Sequence, residues 1–204
     1  MILDTHYLIL QTMGIKSFLI KPYANYVARQ VRRWSARPLE CQEAIMQQIV
    51  AKAKHTAYGT DHDFASIRSY EDFKARVPIQ DYEQLKPYFD RIVHGEANVL
   101  WPGKPKYLAK TSGTTSGTKY IPITNDSIGN HFYSAQNAMM LFMAETGLYN
   151  IMDGQLIFLS GSPELEKKAG VMVGRLSGIV NHEIPTYLKG NQVPSWQTNC
   201  MDDW

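Results

Sequence analysis

One run constrains this chain more than any other: Lys110-Thr111-Ser112-Gly113-Thr114-Thr115-Ser116-Gly117-Thr118-Lys119, glycines and hydroxyl side chains between two lysines. Such residues cannot build a core, and in isolation they read as a flexible linker. The flanks read differently. Lys106-Tyr107-Leu108-Ala109 before the run and Lys119-Tyr120-Ile121-Pro122-Ile123 after it are short and apolar-biased, which predicts strand, loop, strand.

A loop of this composition held between strands offers unobstructed backbone N–H groups, several hydroxyl donors and positive charge at its edges. Glycine lets the backbone come close, successive N–H groups form an anion nest, and lysine neutralises charge, so the run is suited to phosphate oxygens. It is not a Walker A loop: three residues separate Gly113 from Gly117 where that pattern needs four, and Thr118 precedes Lys119. The competing reading is a plain polar hairpin loop at the surface.

The 204 residues suffice for one large domain or two small ones. Lys+Arg 21 against Asp+Glu 19 gives a net charge of +2, so overall composition makes no case for nucleic acid or an anionic membrane. The local exception is Lys16 to Lys54, where Arg29, Arg32, Arg33 and Arg37 accompany only Glu40 and Glu43, a solvated helix face or a docking surface. Cys41 and Cys200 stand far apart without CxxC spacing, which fits a reducing, cytoplasmic setting and no zinc site. No run approaches the roughly 18 apolar residues of a membrane span. Asp4, His6 and Gln11 interrupt the N-terminus, a poor signal peptide. Residues 1–13 read as a disordered extension, with Met13 an alternative start to Met1.

Taken in order, residues 14–97 read as helical and 98–204 as α/β. A helix is expected over about 15–36, interrupted near Pro22, and a second opens at Pro38, with Ile45, Ile49 and Ala53 on one face, ending before Gly59. Ser69-Tyr70-Glu71-Asp72 predicts a capping box for a helix through Arg76. Asp81 caps a further turn, and Pro87 opens the next. Thr124-Asn125-Asp126 starts the longest helix, which runs to Gly147. Leu156-Ile157-Phe158-Leu159 reads as a buried strand, Ser160-Gly161-Ser162-Pro163 as a turn, and Val171-Met172-Val173 as a short strand. Gly174-Arg175-Leu176-Ser177-Gly178 reads as a turn or helix start. The tail Met201-Asp202-Asp203-Trp204 carries no terminal capping pattern, and a sheet stopped this early keeps unpaired edges, so the chain is expected to be the N-terminal piece of a longer polypeptide.

Thr111-Ser112-Gly113-Thr114-Thr115-Ser116-Gly117-Thr118-Lys119 resembles the first signature of adenylate-forming ligases. The stretches Ala57-Tyr58-Gly59-Thr60-Asp61-His62-Asp63-Phe64, Phe73-Lys74-Ala75-Arg76-Val77-Pro78-Ile79-Gln80-Asp81-Tyr82 and Tyr88-Phe89-Asp90-Arg91-Ile92 narrow the likeness. Together they resemble the N-terminal region of the Gretchen Hagen 3 (auxin-responsive promoter) family of acyl-acid amido synthetases, in its bacterial branch, over about residues 14–204. Lys119 arrives about one residue earlier than in plant members, and the family's later nucleotide signatures and mobile C-terminal domain are not in the sequence.

The resemblance implies the start of an adenylate-forming-ligase-type mixed α/β domain behind a helical N-terminal region. It also implies two steps: a carboxylate attacks the α-phosphate of ATP to give an acyl-adenylate and pyrophosphate, and an amine then takes the acyl group. No protein nucleophile is required; positioning and charge stabilisation suffice. By this likeness Thr111, Ser112, Gly113, Thr114, Thr115, Ser116, Gly117 and Lys119 hold the ATP phosphates. The Ser112, Thr114 and Thr115 hydroxyls and the Gly113 and Gly117 backbone take the β- and γ-phosphates, with Lys119 as auxiliary charge. Mg²⁺ bridges the phosphates, its protein carboxylate lying outside this chain. The implied partners are a small carboxylic acid, an amine acceptor and the remainder of the polypeptide. The acyl group is expected near Phe132, Met139, Met143, Val173 and Leu176, with Arg175 pairing a carboxylate; the same Met and aromatic spacing also reads as core.

Other motifs carry less. Asp61-His62-Asp63 is the densest metal-like cluster, but adjacent residues on a turn rarely converge on one ion. Gly174-Arg175-Leu176-Ser177-Gly178 has the wrong spacing for a hydrolase elbow. Asn125-Asp126-Ser127 is a formal sequon. Two classes remain open: a carboxylate-adenylating ligase, amido synthetase before CoA ligase, or a non-catalytic truncated module that binds an anion or partner through the same loop.

Overall fold

A computed structural model of the chain describes residues 14–111, 117–184 and 189–201. The expected extension over 1–13 lies outside them, as do Ser112, Gly113, Thr114, Thr115 and Ser116 of the loop.

Helix α1 (Ile15–Ser35) runs unbroken through Pro22, where an interruption was expected. Its Ser17, Ala24, Val27 and Ala28 are buried, and its small-residue face lies on the long helix of the second half. Pro22 and Phe18, the residue whose carbonyl loses its donor, are both exposed, so water can serve that carbonyl while tertiary packing holds the helix. Pro38 opens α2 (Pro38–Ala53), which is followed by α3 (Ala57–Asp61) and a 3₁₀ turn over Phe64–Ser66. Helix α4 (Tyr70–Arg76) has the Ser69–Asp72 capping box. Helix α5 (Tyr82–Val93) has a second, Asp81–Gln84, and passes through Pro87 instead of dividing there. The carbonyl deprived of a donor is that of Glu83, in the first turn, while Phe89, Ile92 and Val93 anchor the rest by burial.

Strands β1 (Tyr107–Thr111) and β2 (Lys119–Ile123) form an antiparallel hairpin, Leu108 facing Pro122 and Thr111 facing Lys119. Then α6 (Asn125–Thr146) starts at a Thr124–Ser127 capping box and stops at Gly147, whose φ of 76° suits the left-handed cap. After a 3₁₀ turn over Tyr149–Asp153 come β3 (Leu156–Ile157), β4 (Glu166–Lys168), β5 (Val171–Arg175), α7 (Leu176–Glu183), β6 (Gln192–Val193) and α8 (Trp196–Asn199). The main sheet has the order β2-β1-β5-β4, with β1 and β5 parallel, and β3 pairs in parallel with β6.

The fold is thus mixed α/β and mostly helical, as the sequence reads. On one side of the sheet Leu108, Val171 and Val173 pack with Phe89, Ile92 and Val93 of α5. On the other, Tyr107, Ala109 and Ile123 meet Ile128 and Ile179 of α6 and α7. The expected buried strand over 156–159 is shorter and open to solvent: it spans only Leu156 and Ile157, with Phe158 adding one N–H to the Val193 carbonyl at 2.9 Å, and Ile157 is 73% and Leu159 70% exposed. An apolar run is buried only where a layer covers it, and β6 supplies a neighbour without a covering face.

Strand β2 is an edge with its donors removed. The Tyr120 N–H turns outward and donates to the Tyr82 hydroxyl oxygen at 3.0 Å. Alternation turns the same side of Pro122 outward, and proline has no N–H to offer.

Candidate functional site

Strands β1 and β5 run in the same direction, so Thr111 and Arg175 end at one edge of the sheet. The Gly/Ser/Thr loop leaves the first and α7 leaves the second. The carboxyl ends of parallel strands, beside a helix N-terminus, are where α/β folds hold ligands. Burial pushes the Tyr107 hydroxyl up to about 12, helped by its hydrogen bond to Glu183. Burial opposes charge on Glu183 too, but hydrogen bonds from Lys106 and Tyr107 (2.6 Å) outweigh it and hold the carboxyl below its ordinary value. These contacts fasten the last turn of α7 to the start of β1, leaving the first turn at the loop edge.

The two lysines that bracket the loop are held differently. Lys110 Nζ is 2.9 Å from Glu166 on β4, a close ion pair. Lys119 Nζ lies 4.8 Å from the centroid of the Tyr82 ring and 3.9 Å from Glu83 Oε1, a loose one. Tyr82 stacks on Phe89 at 4.8 Å, so the Asp81-Tyr82-Glu83 start of α5 clasps the strand descending from the loop. At the loop exit Gly117 has φ of 82°, which glycine adopts without strain. Tyr82 enters the sequence reading only as the end of the Phe73–Tyr82 stretch, and its meeting with Lys119, like that of Glu83, is hidden there because the pairing joins segments far apart in the chain.

Removing one oxygen tests this clasp. Tyr82→Phe leaves the half-buried Tyr120 N–H without its acceptor and is expected to lower unfolding free energy by about 1 kcal/mol, read as a lower urea midpoint at unchanged slope.

A second polar segment stands at the same sheet edge. Ser160-Gly161-Ser162-Pro163, read as a turn, packs on the first turns of α7: the Gly161 N–H donates to Ser177 Oγ at 2.9 Å, and Asn181 Nδ2 donates to the buried Ser160 Oγ at 3.3 Å. A Cβ on Gly161 would stand 2.7 Å from Arg175 Cδ, and one on Gly178 2.3 Å from the Ser162 carbonyl oxygen. The signal in the sequence was two glycines set among serines, legible only once these segments meet.

The acyl-pocket residues are dispersed. Met143 is fully buried and Met139 half-buried between α1 and α6, beside Ala24, Val27 and Tyr149. Phe132 is half-buried on the α6–α7 side of the sheet, whereas Val173 is buried on the α5 side. Arg175 and Leu176 remain exposed at the loop edge, where Thr111, Gly117 and Lys119 also lie. Asp61, His62 and Asp63 diverge: Asp61 accepts from the Tyr88 hydroxyl (2.7 Å), His62 Nδ1 meets the Arg76 carbonyl (2.8 Å), and Asp63 pairs with the Arg76 guanidinium (3.4 Å). Among the described residues no group of three or more His, Cys, Asp or Glu could hold a metal ion.

Residues 27–203 match the model of the "GH3 family N-terminal domain". The chain is 29% identical over 138 residues to indole-3-acetic acid-amido synthetase GH3.15 of Arabidopsis thaliana, covering 66% of this chain and 22% of that protein. It is 25% identical over 158 residues to jasmonoyl--L-amino acid synthetase JAR4 of Nicotiana attenuata, covering 75% and 27%. The fold matches the solved GH3.15 acyl acid amido synthetase with a TM-score of 0.66 at 22% identity, over 77% of this chain and 28% of that one. A second structure, AtGH3.15 acyl acid amido synthetase in complex with 2,4-DB, gives 0.63 at 24% identity, over 80% and 29%. The chain therefore spans about a quarter of the length of these relatives.

Proposed function

Since the chain belongs to the GH3 family through that family's N-terminal domain, we propose that it is the N-terminal portion of an ATP-dependent carboxylate-activating ligase that conjugates an acid to an amine. One observation carries the reading: a hydroxyl-rich loop leaves β1 at the carboxyl ends of the parallel pair β1–β5, beside the first turn of α7. Relatives named as indole-3-acetic acid-amido and jasmonoyl-amino acid synthetases support the reaction class. Placement in the bacterial branch belongs to the same reading of the loop and the upstream stretches, and a cytoplasmic setting accords with the two lone cysteines. No helix among the described residues is long and apolar enough to cross a membrane.

In this reading Ser112, Thr114 and Thr115 donate to phosphate oxygens, the Gly113 and Gly117 N–H groups close the nest, and Thr111 and Ser116 frame it. The group fits what is described: Gly117 leaves open space where a Cβ would stand, and Lys119 is held loosely. An exposed ion pair of that length is worth under about 1 kcal/mol, while a hydrogen bond to a charged phosphate is worth about 1.5–3 kcal/mol. Lys119 therefore exchanges Glu83 for nucleotide. Mg²⁺, when bound with the nucleotide, would supply charge neutralisation for the phosphates; among the described residues no carboxylate cluster would hold it. Arg175 and Leu176 meet the acid, the guanidinium pairing its carboxylate; Phe132, Met139, Met143 and Val173 pack in three separate core clusters.

The acid's oxygen replaces pyrophosphate on the α-phosphorus of ATP, and the amine nitrogen then displaces AMP from the acyl carbon. Within the chain the work is to bring two anions together and to hold the departing pyrophosphate charge. Titrating Mg-ATP by calorimetry into the full-length polypeptide that carries this portion tests the loop. Saturable binding with exchange of pyrophosphate into ATP that depends on added carboxylate supports the ligase. Binding without exchange supports the second reading, a non-catalytic anion-binding module. Absence of binding overturns both. Transfer to CoA in place of an amine would place the chain among acyl-CoA-type ligases.

A further inference from the structure

The ligase reading leaves the outward face of α1 without a role. The helix buries Ser17, Ala24, Val27 and Ala28. On its far side Ile15 is 81%, Phe18 71%, Leu19 64% and Tyr26 53% exposed. At about 100° per residue Ile15, Leu19, Tyr26 and Arg33 stand roughly opposite Ala24, with Phe18 and Arg29 flanking them. The face is ordered along its axis, apolar in the first three turns and cationic beyond.

Its charge is one-sided. Between residues 14 and 37 lie Lys16, Lys21, Arg29, Arg32, Arg33 and Arg37, and no Asp or Glu. The whole-chain charge of +2 conceals this, because the compensating carboxylates lie elsewhere in the sequence. Arg32 reaches Glu145 of α6, and Arg37 reaches Glu40 at 3.4 Å. Arg29 and Arg33 are exposed on the outward face.

We propose that this face of α1 docks the protein on a membrane leaflet bearing anionic headgroups, the helix lying in the plane of the interface. Cations without carboxylates select a uniformly anionic surface, and Phe18, Leu19 and Ile15 among them require apolar depth just beneath it. Nucleic acid supplies the first and not the second. An anionic leaflet supplies both, and Tyr26 and Trp34, 53% and 50% exposed, are residue types that settle at headgroup level. The inference is independent of the nucleotide site.

The test is co-sedimentation of this chain with phosphatidylcholine vesicles, with and without phosphatidylserine, across a salt series. Binding is expected to be at least about tenfold stronger with phosphatidylserine and to weaken as salt rises. Arg29→Glu with Arg33→Glu should lower it about a hundredfold, by two charge reversals. Phe18→Ser with Leu19→Ser should lower it at least about tenfold. All four residues are exposed, so an unchanged far-UV spectrum and melting temperature confirm that the fold is intact. Failure to sediment, equal binding to neutral vesicles, or full binding by the arginine variant overturns the proposal; an acidic protein partner would then be the occupant to seek.

Discussion

Gly59→Ala is expected to lower stability by about 3 kcal/mol, although alanine is the better helix former. A Cβ at this position would stand 2.1 Å from the Ala53 carbonyl oxygen and 3.1 Å from Lys54 Cα, both backbone. Neither side of the contact can yield easily. The Ala53 carbonyl accepts from the Thr56 N–H at 2.9 Å and from Thr56 Oγ1–H at 2.7 Å. Helix α3 is held in turn by Ala57 N–H to the Asn98 carbonyl at 2.8 Å and Tyr58 N–H to the Val99 carbonyl at 3.0 Å. Gly59 N–H itself donates to Thr56 Oγ1 at 3.0 Å. Relief of the clash must therefore break at least one of these bonds. The gain in helix propensity is about 1 kcal/mol; overpacking against a fixed backbone plus a broken buried hydrogen bond exceeds it. In a chain of this length the melting temperature should fall by about 6–12 °C. A melting temperature equal to or above that of the parent would show that α2 and α3 do not meet this closely.

The contrast between what was legible and what was not follows the range of the interactions. The capping boxes at Ser69, Asp81 and Thr124 and the stop at Gly147 are decided within four residues, and the sequence displays them. Pro22 and Pro87 mislead a local reading because their penalty is local, while the helices are held by Ala24 and Val27 against α6 and by Phe89 and Ile92 under the sheet. Leu156 to Leu159 mislead for the converse reason: their composition is that of a core strand, and their burial depends on a layer from elsewhere. At the site the loop announces itself by composition. The Tyr82–Tyr120 contact and the packing of Ser160 and Gly161 on α7 do not, since they join segments 38 and 16–21 residues apart.

Replacing Thr114 by alanine together with Thr115 by valine is expected to abolish nucleotide binding for practical purposes. Two hydrogen bonds to charged phosphate oxygens, at about 1.5–3 kcal/mol each, correspond to a loss of roughly a hundredfold to ten-thousandfold in affinity. Valine at position 115 keeps the shape of threonine, so the loss there reports a donor removed. The two lysines sharpen the comparison. Lys119 is tethered at 3.9 Å and free to exchange, so Lys119→Ala should weaken Mg-ATP about tenfold or more. Lys110 is engaged at 2.9 Å by Glu166, so Lys110→Ala should leave affinity within about threefold. Calorimetry on the four proteins decides: a polar loop with no part in phosphate binding predicts four similar curves, whereas a phosphate cradle predicts that the double variant fails and Lys119→Ala weakens while Lys110→Ala holds. The asymmetry between the lysines is the more demanding half of the test, because a general loss of positive charge would weaken both variants alike.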